Sequence, residues 1–141
     1  MEQSSKTLTF VVPAYNMETY LERCVESLLS ATDNSDIEVL IVDDGSSDGT
    51  PELADMYERR WPGNVRAIHQ VNKGHGGAVN TGIANATGMY VKVVDADDWV
   101  DMPSIDTLMG TLRVQRVATD PVDMIVTNYV YDKVGKRVKH T

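Results

Sequence analysis

Apolar residues along this chain fall into two alternating rhythms. TLTFVV (7–12) is a short, nearly unbroken apolar run, the pattern of a strand buried on both faces. METYLERCVESLL follows, with apolar residues at 17, 20, 21, 24, 25, 28 and 29. That spacing is a helical stripe and predicts a helix over 17–31. The pair of rhythms then repeats. IEVLIVD (37–43) predicts a second strand, and 51–60 a second helix with Thr50 as its N-cap and Pro51 in its first turn. VRAIHQ (65–70) is a third strand, followed by a shorter helix near 78–86. MYVKVV (89–94) is a fourth, before a helix near 103–117 that carries Ile105, Leu108, Met109 and Leu112 on one face. VDMIVTNYVY (122–131) reads as a fifth strand. Strands alternating with helices require crossover connections, so the expected fold class is α/β, a mainly parallel sheet with helices on both faces.

In such a sheet, ligands gather beyond the carboxyl ends of the strands. Here the first strand ends in PAYN (13–16), the second in DDGSSDG (43–49), the third in NKGHGG (72–77) and the fourth in DADD (95–98). All four lie on one edge. Glycine-rich and Asx-rich turns are common singly, but four on one edge predict a site.

Bulk composition narrows what that site serves. The 141 residues fit one domain with a real core. With 13 basic and 21 acidic residues the net charge is −8, which repels phosphate backbones and anionic membrane surfaces. Nucleic acid is therefore not an expected partner. Cys24 is the single cysteine, so no intrachain disulfide forms and a reduced, cytoplasmic setting is the default. It falls on the helical stripe and reads as a core residue. No apolar run reaches the length of a membrane span, and the opening residues lack the layout of a signal peptide.

The carboxylates of DADDW make the sharpest chemical signal. Asp95, Asp97 and Asp98 crowd three negative charges into four positions, which is unfavourable unless a cation sits among them. Hard divalent cations take oxygen ligands, and Mg²⁺ commonly uses one or two carboxylates with water and substrate phosphates. In extended backbone, residues two apart face the same way, so Asp95 and Asp97 are expected to share an ion while Asp98 points away to cap the next helix. Of Asp43 and Asp44, which close an apolar strand, Asp44 is the better candidate to accept a hydrogen bond from a ligand. Tyr15 in PAYN offers an aromatic platform for a base, and Asn16 an N-cap for the first helix. NKGHGGAVNTG fits neither GxGxxG nor the P-loop spacing. Lys73 and the backbone N–H groups of Gly74, Gly76 and Gly77 can still meet an anion. His75 offers a ligand or a general base, although a lone loop histidine is usually just solvated.

In order, VVPAYN, IVDDGSSDGT, NKGHGGAVNTGIANATG and VVDADDW resemble the nucleotide-sugar half of the family 2 glycosyltransferases, of GT-A fold, over residues 8 to 103. The resemblance implies inverting transfer of a sugar from a nucleotide diphosphate donor, usually a UDP-sugar, with Mn²⁺ or Mg²⁺. It implies that Pro13, Ala14 and Tyr15 border the nucleobase and that Asp44 accepts the base N–H. It also puts Lys73 and Gly74 near the base or diphosphate, Asp97 on the metal, and Asp95 on metal or ribose. Acceptors in such a family include glycans, lipid-linked carriers and wall polymers. One departure is visible: many relatives have an arginine before the asparagine of the third motif, where this chain has Val79 before Asn80. The family's general base is a carboxylate in the acceptor half. The expectation is therefore a domain truncated at its C-terminus, 1–141, holding the donor site without that base, in a parent that works in the cytoplasm or at the cytoplasmic membrane face.

Two other readings stand beside this one. The chain could hold nucleotide and metal as a binding module without turnover, since transfer needs a base within reach of the acceptor hydroxyl. LIVDDG also resembles the start of a phosphoacceptor receiver domain. There the acidic pair ends the first strand, whereas here a strand and a helix precede it, and receiver chemistry explains neither PAYN nor DADDW.

Overall fold

The computed structural model describes residues 6–117 and the backbone of 129–133 and 136–140. Four parallel strands make the main sheet: β1 (Leu8–Ala14), β2 (Ile37–Asp44), β3 (Val65–Gln70) and β4 (Tyr90–Val93), in the order β3-β2-β1-β4. Helices α1 (Leu21–Leu28), α2 (Thr50–Arg60) and α3 (Gly74–Asn85) make the crossovers, and α4 (Met102–Arg116) follows β4.

Alternation along the strands sorts side chains between two cores. Leu8, Phe10, Val12 and Ala14 of β1 pack with Ile37, Val39 and Ile41 of β2 against the apolar stripes of α1, α2 and α4. The intervening residues Val11, Leu40 and Val42 face the other way and meet Ala78 of α3 and Ile68. Both faces are covered, which is why β1 and β2 are buried along their whole lengths. The expected parallel sheet with helices on both faces is what forms.

Helix ends depart from the expectation. In α1 the hydrogen-bonded helix is shorter than the stripe that marks it, because residues 18–20 form a turn onto Met17 O. Asn16 does not cap it; it sits in the left-handed region at φ 52° and ties down the loop after β2 instead. Thr50 does not cap α2 either. Its N–H is held by Asp48 Oδ1 at 2.9 Å, while its buried hydroxyl accepts from Met17 N at 2.8 Å. Helix α3 begins at Gly74, four residues before the expected start, so the glycine segment is its first turn. Glycine's low helix propensity hides that turn from a reading of sequence. Tertiary packing supplies the reason for Gly82, where a Cβ would lie 2.2 Å from Val11 Cγ1, whereas a Cβ on Gly74 or Gly76 would meet nothing within 4 Å. For the fifth strand, residues 122–128 lie outside the described residues. Residues 129–131 belong to β5 (Tyr129–Lys133), which pairs antiparallel with β6 (Lys136–His140) in a separate two-stranded sheet.

The chain runs β1 to β2 to β3 in one direction across the sheet, then returns to set β4 on the far side of β1. The carboxyl end of β1 is thus a topological switch point, where loops from β1 and β4 diverge and leave a crevice. DADD and PAYN flank that crevice.

Candidate functional site

Asp43 and Asp44 close β2 on opposite faces, and the structure gives them different work. Asp43 is internal: Oδ1 accepts from Ser46 N at 3.1 Å and Oδ2 lies 2.7 Å from His69 Nδ1. His69 Nε2 in turn lies 2.7 Å from Asp55 of α2. Asp43, then Asp55, raise the histidine's pKa above its ordinary value, since both ring nitrogens donate only in the imidazolium. Asp44 is also buried, but its contacts are confined to one oxygen. Its Oδ1 accepts from Lys73 N at 2.7 Å and from Gln70 Nε2 at 3.0 Å. Among the described residues, Oδ2 meets no donor. Gly45 makes the turn beyond at φ 75°, where a Cβ would also strike Asn72 N.

At the end of β1, Pro13 and Ala14 are buried, and Tyr15 is the aromatic on the rim at 49% exposure. Asn16 Oδ1 accepts from Ser47 N at 2.8 Å and Asn16 N donates to Ser46 Oγ at 3.0 Å, clipping the β1 and β2 loops together.

After β4 the backbone turns. Asp98 N donates to Asp95 O at 2.9 Å, a β-turn rather than the extended segment expected. Asp98 therefore does not point away: Asp95, Asp97 and Asp98 each bring one carboxylate oxygen within 4.8 Å of the others. The cap of α4 is Asp101, which accepts from Ser104 N at 2.8 Å. Helix α1 supports the turn from beneath. Cys24 Sγ contacts Asp95 O at 3.7 Å, Ser27 Oγ accepts from Val100 N at 3.2 Å, and the Arg23 guanidinium lies 5.4 Å from the Trp99 ring centroid. Cys24 is fully buried, as its place on the stripe implied. Burial, then the fields of Asp98, Asp97 and Asp95, push its thiol up to about 12, so it is no nucleophile.

From α3, His75 Nε2 reaches Asp95 Oδ1 at 2.9 Å. This histidine is no isolated loop residue, and Gln70 likewise stands beside Asp44 although nothing in its sequence context marks it. Gln70 ends a strand in register with Asp44, and His75 follows a strand whose carboxyl end lies on the DADD edge. Residues 70–75 thus link the two acidic centres, holding Asp44 through Gln70 and Lys73 N and Asp95 through His75.

Three convergent carboxylates with exposed or half-exposed side chains form an all-oxygen donor set that fits a hard divalent cation such as Mg²⁺ or Mn²⁺. A buried carboxylate with one oxygen engaged and one open, beside a half-exposed tyrosine, fits a planar ligand with a polar edge.

Comparison with known proteins gives this geometry its context. The family described as "Glycosyl transferase family 2" matches residues 9–140. Glycosyltransferase GlyG of Streptococcus pneumoniae is 40% identical over 131 residues, covering 92% of this chain and 41% of GlyG. Chondroitin synthase of Escherichia coli is 38% identical over 106 residues, 75% of this chain and 15% of that protein. Among solved structures, S. aureus TarS 1-349 in complex with UDP superposes with a TM-score of 0.69 at 26% identity, covering 78% of this chain and 33% of TarS. Mannosyltransferase PcManGT of Pyrobaculum calidifontis, in complex with GDP-Man and Mn²⁺, gives 0.66 at 27% identity over 80% of this chain and 32% of its own. The fold and the acidic crevice define a GT-A-like domain. The chain belongs to glycosyltransferase family 2. It spans less than half the length of each of these relatives.

Proposed function

We propose that residues 1–141 are the donor-binding half of an inverting glycosyltransferase that moves a sugar from a UDP-sugar to an acceptor hydroxyl. The observation that carries the reading is the meeting of Asp95, Asp97 and Asp98 at the switch point of the sheet, on the same edge as Asp44. Asp44 accepts the uracil N3–H, and Pro13, Ala14 and Tyr15 border the base, with Tyr15 as its side-chain wall. Lys73 and Gly74 face the diphosphate from the first turn of α3. Asp97 holds Mn²⁺ or Mg²⁺, and Asp95 holds the cation or the ribose. The cation, when bound, neutralises charge on the departing diphosphate. The chain's own part is to present rigid oxygen ligands from a turn pinned by α1 and to orient the base from β1 and β2. The acceptor is a glycan, a lipid-linked carrier or a wall polymer, and the work is done in the cytoplasm, where a thiol such as Cys24 stays reduced. Among the described residues no helix is long and apolar enough to cross a membrane.

The test is a thermal-shift titration with UDP, with and without Mn²⁺, on the chain and on Asp97→Asn. A ligand that binds only the folded state raises the Tm by mass action. The expected result is a rise with UDP and Mn²⁺ together that Asp97→Asn abolishes. An equal rise in the variant would remove the metal role from Asp97; no rise with UDP, with or without Mn²⁺, would sink the donor-site reading.

A further inference from the structure

We propose that His75 is a positioning residue for the cation site, holding the Asp95 carboxylate from the first turn of α3 in the orientation that ligates the metal; this rests on the donor-site reading above. His75 Nε2 lies 2.9 Å from Asp95 Oδ1, and among the described residues the Asp95 carboxylate accepts from no other group. An ionised carboxylate oxygen only accepts, so Nε2 carries the hydrogen and donates it. The side-chain atoms that converge within 4.8 Å belong to Asp95, Asp97 and Asp98, and the imidazole is not among them. His75 thus stands outside the oxygen cage and holds one of its members.

Both ends of this contact rest on fastened backbone. Just before His75, Lys73 N donates to the buried Asp44 at 2.7 Å, and Gly74 N donates to Asn72 Oδ1 at 3.2 Å. Just after it, Ala78 anchors α3 in the small core with Val11, Leu40 and Val42 of the sheet. On the other side, Asp95 O accepts from Asp98 N at 2.9 Å and contacts Cys24 Sγ of α1. The imidazole therefore joins two segments that are each tied to the fold, α3 and the turn after β4. Gly74 and Gly76 flank it, and a Cβ on either would meet nothing within 4 Å, so its chain neighbours leave the ring room to reach across.

Exposure decides what the contact can do. The side chains of His75 and Asp95 are 66% and 52% exposed, and a pair so open to water adds little to stability. Its effect falls on the cation instead. A free carboxylate loses rotamer freedom when it ligates a metal, whereas one already hydrogen-bonded from outside has lost part of that freedom beforehand. Partners that orient a metal ligand in this way commonly change metal affinity by about 10- to 100-fold. The openness of this pair to water sets the expectation at the lower end.

The experiment measures Kd for UDP in EDTA and again with Mn²⁺, on the 141-residue chain, on His75→Leu and on His75→Gln, with the metal-free Tm of each. The ratio of the two Kd values reports what the cation contributes. His75→Leu removes the donor and should lower that ratio roughly tenfold. His75→Gln keeps an N–H donor on the side chain and should hold it near the wild-type value. Metal-free Tm and UDP affinity in EDTA should be alike in all three. An unchanged or increased ratio in His75→Leu would overturn the assignment while leaving the donor-site reading intact. So would a His75→Gln ratio that falls as far as that of His75→Leu, since the donor would then be irrelevant. A lower UDP affinity in EDTA or a lower Tm in His75→Leu would assign the contact to the nucleotide or to the helix rather than to the cation. Spin-echo EPR of bound Mn²⁺ should show no coupling to an imidazole nitrogen; such a coupling, lost in His75→Leu, would make His75 a ligand and end its positioning role. If wild type binds no UDP, or binds it equally with and without Mn²⁺, the donor-site reading fails and this inference with it.

Discussion

Glu38 and His69 show how single side chains hold the sheet in register, and with opposite dependence on pH. Glu38 is buried on β2, yet it accepts from Thr9 Oγ1 at 2.8 Å, Arg66 Nε at 2.8 Å and Thr87 N at 3.0 Å. Burial alone would raise its pKa, but bonds from Thr87, Arg66 and Thr9 outweigh it and the net shift is downward. Its contribution is therefore present above the unfolded value near 4.5 and lost as pH falls through the lower folded value. His69 works in the other direction. Its raised pKa means that its contribution is full below the unfolded value near 6.5 and lost as pH rises through the folded value. Denaturant titrations across this range should show stability falling at both ends, with His69→Gln flattening only the alkaline limb. Glu38→Ala strands three donors and should cost about 2–4 kcal/mol, read from the shift in denaturation midpoint. The sequence marks Asp44 and the DADD carboxylates by their positions at strand ends. It does not mark Glu38 or Gln70, because a partner some thirty residues away is set by register, which no local pattern displays.

Elements were legible in their centres and obscure at their ends. The stripe of α1 and the runs of β1 to β4 declare themselves through period, since burial demands it. Ends depend on which side chain reaches which N–H group. Asp48 rather than Thr50 serves α2, and Asp101 rather than Asp98 serves α4, because each sits one turn geometry away from the residue that spacing favoured. The case of α3 is sharper. Its first-turn glycines read as loop although the helix begins there, and further along Gly82 lets it approach β1 so closely that a Cβ would lie 2.2 Å from Val11 Cγ1. A Gly82→Val chain should be destabilised by about 1–3 kcal/mol through overpacking. Because α3 begins beside Lys73 and His75, the same variant should also weaken nucleotide binding, whereas Gly76→Ala, which opens onto free space, should leave stability nearly unchanged. Paired thermal melts and UDP titrations of both variants would check this.

For the whole molecule, the order β3-β2-β1-β4 decides more than where the crevice lies. Neighbouring pairs β1–β2 and β2–β3 join residues close to one another in the chain, as in Leu8 with Ile37 and Val39 with Val65. The β1–β4 pair is different, because Leu8 must find Tyr90. Long closures of this kind are slow, since chain entropy is spent before any contact rewards it. Strands β1 to β3 can thus assemble, with α1 and α2 packed on them, while the oxygen cage after β4 does not yet exist. Nucleotide that needs a cation then reports a late event in folding. In stopped-flow refolding, the fluorescence of the tryptophans should recover in part before any Mn²⁺-dependent UDP signal appears, and the two should coincide only in the slowest phase. The same arrangement bears on synthesis at the ribosome: a chain emerging through residue 85 can bury the first three strands, but under the proposed donor-site reading it acquires the capacity to hold nucleotide only when the aspartates of the fourth strand's turn come into view.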